Sequence, residues 1–390
     1  MWTRTDFQRP SFITVDCDGH FNDSKVDWTS RLPKKYADWA PKTEVVDGQR
    51  RSFVQGQPTA AGRYLMGKDQ MPGSPGVTAY RDPKQWSSIW QTREGEFDAK
   101  ARMPDMDHEG IDVACVFGAF SLVSFLDITD PAFAAEMARA HNDWAIDEYC
   151  GIAPARLKAP AVLPFQDPQL AVKEIYRAKE RGAIGIQAWP HFRRVPLHDP
   201  RFEPIWAAAE EVDLPVCIHA CNYMGWGPES TDIHFFKHAF LSWDMVLACS
   251  SFTGYGILER HPKLRVGFFE SMASWAIWLA DRLDEHWNLW SKELPWQTRS
   301  PREWMLSENC YYSAQAVEKS IPQFMDVMNP NTIGFNSDYS HGDGASPDSV
   351  KLIYTRKDMT EAQKRKVLGE NAARFYKIPL ILPKQAVAAK

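Results

Sequence analysis

Asp18 and His20 stand two residues apart in "SFITVDCDGHFND", where a hydrophobic run meets a histidine and two aspartates, Asp16 and Asp18. Carboxylates and imidazoles are costly beside a core unless something pairs them, and a metal ion is a common partner for Asp and His together. The pattern recurs along the chain: His219 closes "LPVCIH", Glu270 closes "LRVGFFE", Asp338 closes "NTIGFNSD", and His341 follows in "YSHGDG". Singly, each is explained as well by a helix cap or a satisfied buried hydrogen bond. Jointly they are not, because capping does not call for carboxylates and imidazoles at the ends of four separate apolar runs. Asp18, His20, His219, Glu270 and Asp338 are therefore the expected metal ligands. An ion with an open position can polarise a bound oxygen or activate water. His219 and His341 can polarise a substrate or shuttle protons, since imidazole titrates nearest neutral pH.

The ligand inventory bears on the metal. Three carboxylates with two or three imidazoles exceed what one tetrahedral zinc uses, which favours manganese or iron, or a second ion. The expected cofactor is a divalent metal, zinc or manganese, with iron as the alternative and one or two ions per chain. His234 and His238, four residues apart in "STDIHFFKHAF", could add ligands, and His238 is also a candidate for substrate contact. Trp189 and His191 follow the run "AIGIQAW", with Arg193 and Arg194 beside them, and form a candidate site for an acidic substrate. Tyr223 lies in "CNYMGWGPES", a loop placed to meet substrate.

Positioning these groups requires strands that end together. Short apolar runs recur at "SFITV", "IDVACVFG", "LKAPAVLP", "AIGIQAW", "LPVCIH", "LRVGFFE", "NCYYSA" and "NTIGFNSD", and stretches of helical period separate most of them. Several helical stretches open with Asp-Pro, where Asp caps and Pro suits the first turn. Continuous apolar strands alternating with helices predict a parallel sheet covered on both faces, and eight such units predict a (β/α)8 TIM barrel. Such a barrel gathers strand-end side chains at one mouth. We read residues 1–390 as a single barrel domain, with an insertion over residues 21–103 after strand 1, rich in Pro, Gly, Arg and Trp, serving as an arm or lid. Asp107, His108 and Glu109 read as the solvated face of a helix before strand 2.

Composition narrows the function further. The chain has 390 residues, 44% hydrophobic and 24% charged, with net charge -5, and so resembles soluble globular proteins. It offers no basic field for nucleic acid. No apolar run is long enough for a membrane helix and the N-terminus has no signal-peptide core, so a cytoplasmic protein is expected. Seven cysteines, never spaced CxxC, suggest neither a disulfide framework nor a structural zinc. The absence of GxxxxGK[ST], strand-linked GxGxxG and GxSxG motifs argues against nucleotide, dinucleotide and serine-hydrolase chemistry.

The motifs "DCDGHFND", "ARMPDMDHEGIDVACVF", "AHNDWAIDEYC", "LKAPAVLPFQDPQLAVKEI", "RHPKLRVGFFESMASWAIWLADRLDEH", "NSDYSHGDG" and "GENAARFYKI" span most of the chain. Together they resemble the amidohydrolase-related (amidohydrolase 2) family of aminocarboxymuconate-semialdehyde decarboxylase type. The resemblance implies metal ligands at Asp18, His20, His219 and Asp338, and an acid/base role for Asp338. Glu270 stands where many decarboxylases of the family carry a histidine, and Ser340 stands in place of a proline. It further implies a metal-dependent lyase or hydrolase that decarboxylates, or hydrolyses, a small carboxylate-bearing molecule. A homodimer, or a hetero-oligomer with a related subunit, is the expected assembly. Two other readings remain: a dinuclear iron or manganese hydroxylase on the same fold, and a non-catalytic structural subunit of a paired complex.

Overall fold

A computed structural model of the protein describes residues 7–46, 49–59, 93–118, 124–220, 239–339, 341 and 344–380. It is a mixed α/β fold built on parallel sheet. Strand β1 (Val15–Phe21) pairs with β5 (Val113–Gly118), which pairs with β6 (Leu157–Lys158). A second sheet runs in the order β14 (Ile333–Asn336), β13 (Cys310–Gln315), β12 (Val266–Phe269), β11 (Val216–His219), β8 (Ile186–Ala188) and β7 (Ala161–Val162). Every pairing in both sheets is parallel. Each of the eight apolar runs contains or adjoins a strand. The first differs in extent, beginning at Val15 and running through Asp18 and His20 rather than ending before them.

Two links tie the sheets. β6 and β7 are one stretch of chain interrupted at Pro160, which has no N–H to offer a ladder. At the other end, the Asp338 N–H donates to the Asp18 carbonyl (3.1 Å) and the His20 N–H to the Tyr339 carbonyl (2.5 Å). Both faces of the strands are covered. Val113, Cys115 and Phe117 join one apolar cluster with Val15, Cys17, Cys217, Phe269 and Tyr311, while Ala114 and Val116 join another. Two-sided burial is why these strands read as continuous apolar runs.

The helices start where Asp-Pro predicts. Asp130 caps Pro131–Asp143 by accepting from Phe133 N–H, and Asp167 caps Pro168–Glu180 by accepting from Gln169 and Leu170 N–H. Within residues 21–103, the described portion holds short 3-10 turns and an antiparallel ribbon of β2 (Lys42–Val46), β3 (Gln49–Val54) and β4 (Gln57–Pro58). Helix Ala99–Glu109 corrects one expectation. Asp107 is exposed, but Glu109 is buried and accepts hydrogen bonds from Ser346 and Ser349 instead of facing water.

Candidate metal centre

Asp18 and His20 owe their direction to a defect in β1. The register pairs Asp16 with Ala114 but Gly19 with Val116, so three steps on β1 match two on β5. Such a bulge reverses the in-out alternation beyond it. Val15 and Cys17 pack with Val113, Cys115 and Phe117 on one face, yet Phe21 packs on the opposite one. Asp18 and His20 thereby turn to the same face as Cys17, and Asp16 and Gly19 to the other. His219 ends β11 two residues after Cys217 and so lies on the face of Asp18 and His20. Asp338 follows β14 in a left-handed conformation (φ 50°), and Glu270 follows β12 in another (φ 56°). Non-glycine residues in this region are strained and persist where their surroundings over-determine them.

These side chains converge. Asp18 Oδ1 lies 3.3 Å from His219 Nε2 and 3.8 Å from His20 Nε2, while Asp338 Oδ1 lies 3.2 Å from His20 Nε2 and 2.8 Å from His341 Nδ1. The imidazole of His20 stacks on His341 with centroids 4.1 Å apart and meets His219 edge-on at 5.1 Å. Ligand atoms of Asp18, His20 and His219 all fall within 4.8 Å of one another, as do those of His20, Asp338 and His341. Close contact is not the same as satisfaction. Both oxygens of Asp18, both nitrogens of His20, Nε2 of His219 and Oδ1 of Asp338 are enclosed and receive no hydrogen bond of good geometry. Buried polar atoms are normally paired, and carboxylate and imidazole atoms left bare around one point fit a divalent cation.

Electrostatics agree with that assignment. Burial pushes His20 down to about 4, helped by His341, so it presents neutral nitrogens. Burial also opposes a charge on His219, but the carboxylates of Asp18 and Glu270 outweigh it and hold the imidazole up at about 9. Burial raises Glu270 to about 7 against the pull of His219. Burial likewise works against an ionised Asp338, yet His341 and His20 keep its carboxyl well below the usual carboxylate range. The His219 Nδ1–H reaches the Ala220 carbonyl (2.9 Å), which fixes the ring and leaves Nε2 facing Asp18.

The expected site residues separate in space. Asp18, His20, His219, Asp338 and His341 come together. Glu270 stands on the far nitrogen of His219, 3.2 Å from Nδ1, outside the two ligand-atom groups. Trp189 is 1% exposed and packs edge-on to Phe165, and His191 Nδ1 accepts from Arg194 N–H in the turn joining β9 (His191–Phe192) and β10 (Val195–Pro196). Tyr223, His234 and His238 lie outside the described residues. Sequence reasoning gave no role to Asp16, Arg102, Ser337 or Tyr339. Of these, only Asp16 carried a signal, as a carboxylate inside an apolar strand.

Parallel α/β folding, strand-end placement and a bare carboxylate–imidazole group define a metal-dependent enzyme. The amidohydrolase family profile matches residues 15–378, and the chain belongs to that family. It is similar to a gamma-resorcylate decarboxylase of Polaromonas sp., 24% identical over 316 residues that cover 76% of this chain and 91% of the relative. Among solved structures it resembles an amidohydrolase from Mycobacterium avium subsp. paratuberculosis (TM-score 0.76, 20% identity, 94% of this chain and all of that one). It also resembles a 5-carboxyvanillate decarboxylase from Novosphingobium aromaticivorans with bound manganese and 3-methoxy-4-hydroxy-5-nitrobenzoic acid (TM-score 0.70, 21% identity, 95% of this chain and all of that one).

Proposed function

We propose that this protein is a metal-dependent decarboxylase of a small hydroxylated aromatic carboxylate, built on a closed (β/α)8 barrel with an arm inserted over residues 21–103. The observation that carries it is the enclosed group of Asp18, His20, His219 and Asp338, whose ligand atoms lack hydrogen-bond partners. Its resemblance to gamma-resorcylate and 5-carboxyvanillate decarboxylases supports the substrate class. Closure of the barrel is supported by the bond from the Asp338 N–H to β1, by the bond from the His20 N–H of β1 to the Tyr339 carbonyl, and by the shared stretch of β6 and β7.

These four residues would hold a divalent ion, manganese or zinc, which when bound supplies positive charge for a substrate carboxylate or an adjacent hydroxyl. Losing CO2 leaves its electron pair on the ring carbon, so that carbon must receive a proton. His341 is placed to deliver it, with the ionised Asp338 holding and orienting its imidazole. Asp338 Oδ1 and His341 Nδ1 lie within proton-transfer distance, and alignment of such pairs often tightens only when substrate binds. Asp338 is buried, whereas the His341 side chain is 28% exposed and can recover a proton from solvent. The Ala220 carbonyl fixes the His219 ring, so that Nε2 would face the ion. Trp189, His191, Tyr223 and His238 remain the candidates for substrate contact.

The test is CO2 release from a panel of ortho- and para-hydroxylated benzoates by manganese-loaded protein. Asp338→Asn should lower kcat by about 10²- to 10⁴-fold, the range for disabling a general acid–base pair. Full turnover in that variant overturns the proton-transfer role, and loaded protein that decarboxylates nothing while hydrolysing an ester or amide panel overturns the reaction. Elemental analysis should find about one ion per chain, and two iron or manganese ions would point to the dinuclear hydroxylase.

A further inference from the structure

Behind the metal centre, on the opposite face of β1, lies a second buried polar group that binds no ion in the scheme above. Asp16 is fully buried. Its Oδ1 accepts the N–H of Ser337 (2.9 Å) and of Asp18 (3.2 Å), and its Oδ2 accepts the Ser337 hydroxyl (2.6 Å). Ser337 Oγ in turn accepts the N–H of Tyr339 (3.1 Å). One carboxyl group thus grips the backbone of Asp18 and of Ser337, the residue before Asp338, from opposite ends of the chain. Arg102, 1% exposed, extends the contact. It donates to the His20 carbonyl, and its guanidinium lies 4.2 Å from the centre of the Tyr339 ring, whose hydroxyl donates to Asp105 (2.6 Å).

Gly19 shows how tightly these groups meet. A Cβ there would fall 2.7 Å from Arg102 Nη2, 2.9 Å from Asp16 Oδ2 and 3.4 Å from Ser337 Oγ, so no side chain fits without displacing Arg102 and Asp16. Glycine is required by what surrounds it, directly between two ligands. Asp338 also sits in the left-handed region (φ 50°), a conformation that carries a backbone cost its surroundings offset.

We propose that Asp16, Ser337 and Arg102 form a clamp that sets the distance between the ligands on β1 and Asp338, with Asp16 and Ser337 acting as positioning residues for the metal centre. The inference rests on the metal-site reading above but not on the identity of the reaction. Partners of this kind, one bond removed from the ion, typically change metal affinity by about 10- to 100-fold when removed.

Manganese binding to the metal-free full chain, measured by calorimetry and by the Mn²⁺ electron paramagnetic resonance spectrum, tests it without substrate. Ser337→Ala should weaken binding at least about tenfold and alter the spectrum. Asp16→Asn, of the same shape but presenting a donor or a weaker acceptor to Ser337, should do the same and decides the matter if Ser337→Ala does not fold. Asn142→Ala serves as the control, because the Asn142 side chain bonds to Val162 and Glu174 rather than to the metal group, and it should leave affinity within about twofold. Equal losses in Asn142→Ala and Ser337→Ala would mean general loosening and overturn the clamp. Unchanged affinity in Ser337→Ala with a parent that binds manganese overturns the clamp alone, whereas a parent that takes up no manganese overturns the metal-site reading as well.

Discussion

His219 is pulled by two effects of opposite sign, and the outcome makes metal uptake depend on pH. Burial disfavours its charge, but Asp18 and Glu270 prevail and keep it protonated up to about 9. A cation entering at Nε2 must displace that proton, so protons compete with metal below about 9 and cease to compete above it. Manganese affinity should therefore rise by about tenfold per pH unit between pH 6.5 and 8.5, with a proton released on binding. Calorimetry in buffers of different ionisation enthalpy measures both, and an affinity that stays flat over this window would refute the assignment. Glu270→Gln separates neighbour from ligand. If Glu270 acts only through His219, the variant loses one of the carboxylates holding the imidazole up, and the pH break moves lower. If Glu270 is itself a ligand, affinity falls at every pH.

At the scale of elements, the chain repairs interrupted ladders with side chains. β5 pairs with β6 but not with β7, and the Val162 N–H and carbonyl are met instead by the Asn142 side chain, both at 2.9 Å. The same amide donates to buried Glu174 (2.6 Å), tying helix Pro131–Asp143 to both β7 and helix Pro168–Glu180. Asn142→Ala would leave the Val162 N–H and carbonyl short of partners in the core, while Glu174 keeps its two bonds from Arg177. Each such group costs about 1–3 kcal/mol, with partial relief by relaxation, so a loss of about 2–4 kcal/mol in urea unfolding is expected. A loss below about 0.5 kcal/mol would mean that water or a neighbour replaces the amide.

The metal centre draws residues from β1, from β11 and from the segment after β14, so an ion there links the beginning of the chain to its end. Binding to the folded state alone stabilises it by mass action, by about 2.7 kcal/mol at a hundred times the Kd. For a chain of this length that corresponds to a rise in Tm on the order of 3 °C. Thermal scans of chelator-treated protein with and without manganese should show it, and His20→Ala should lose the increment. A shift that persists in His20→Ala would place the stabilising ion elsewhere. No helix among the described residues is long and apolar enough to cross a membrane.

Much of this was legible in the residues because it depends on neighbours in the chain. The eight apolar runs mark strands since parallel strands bury both faces, and Asp130 and Asp167 mark helix starts since a cap acts within three residues. The residue types of the site and their family pattern were legible too. Direction was not. A strict alternation would put Asp16, Asp18 and His20 on one face, and only the bulge against β5 assigns Asp16 to the opposite side. Glu109 looked solvated because its partners, Ser346 and Ser349, come from a segment well over 200 residues away, and Arg102 carried no signal for the same reason. Periodicity reports the side a residue favours given regular structure; which groups meet there, and at what distance, is decided by packing between segments remote in sequence, and that only the tertiary structure contains.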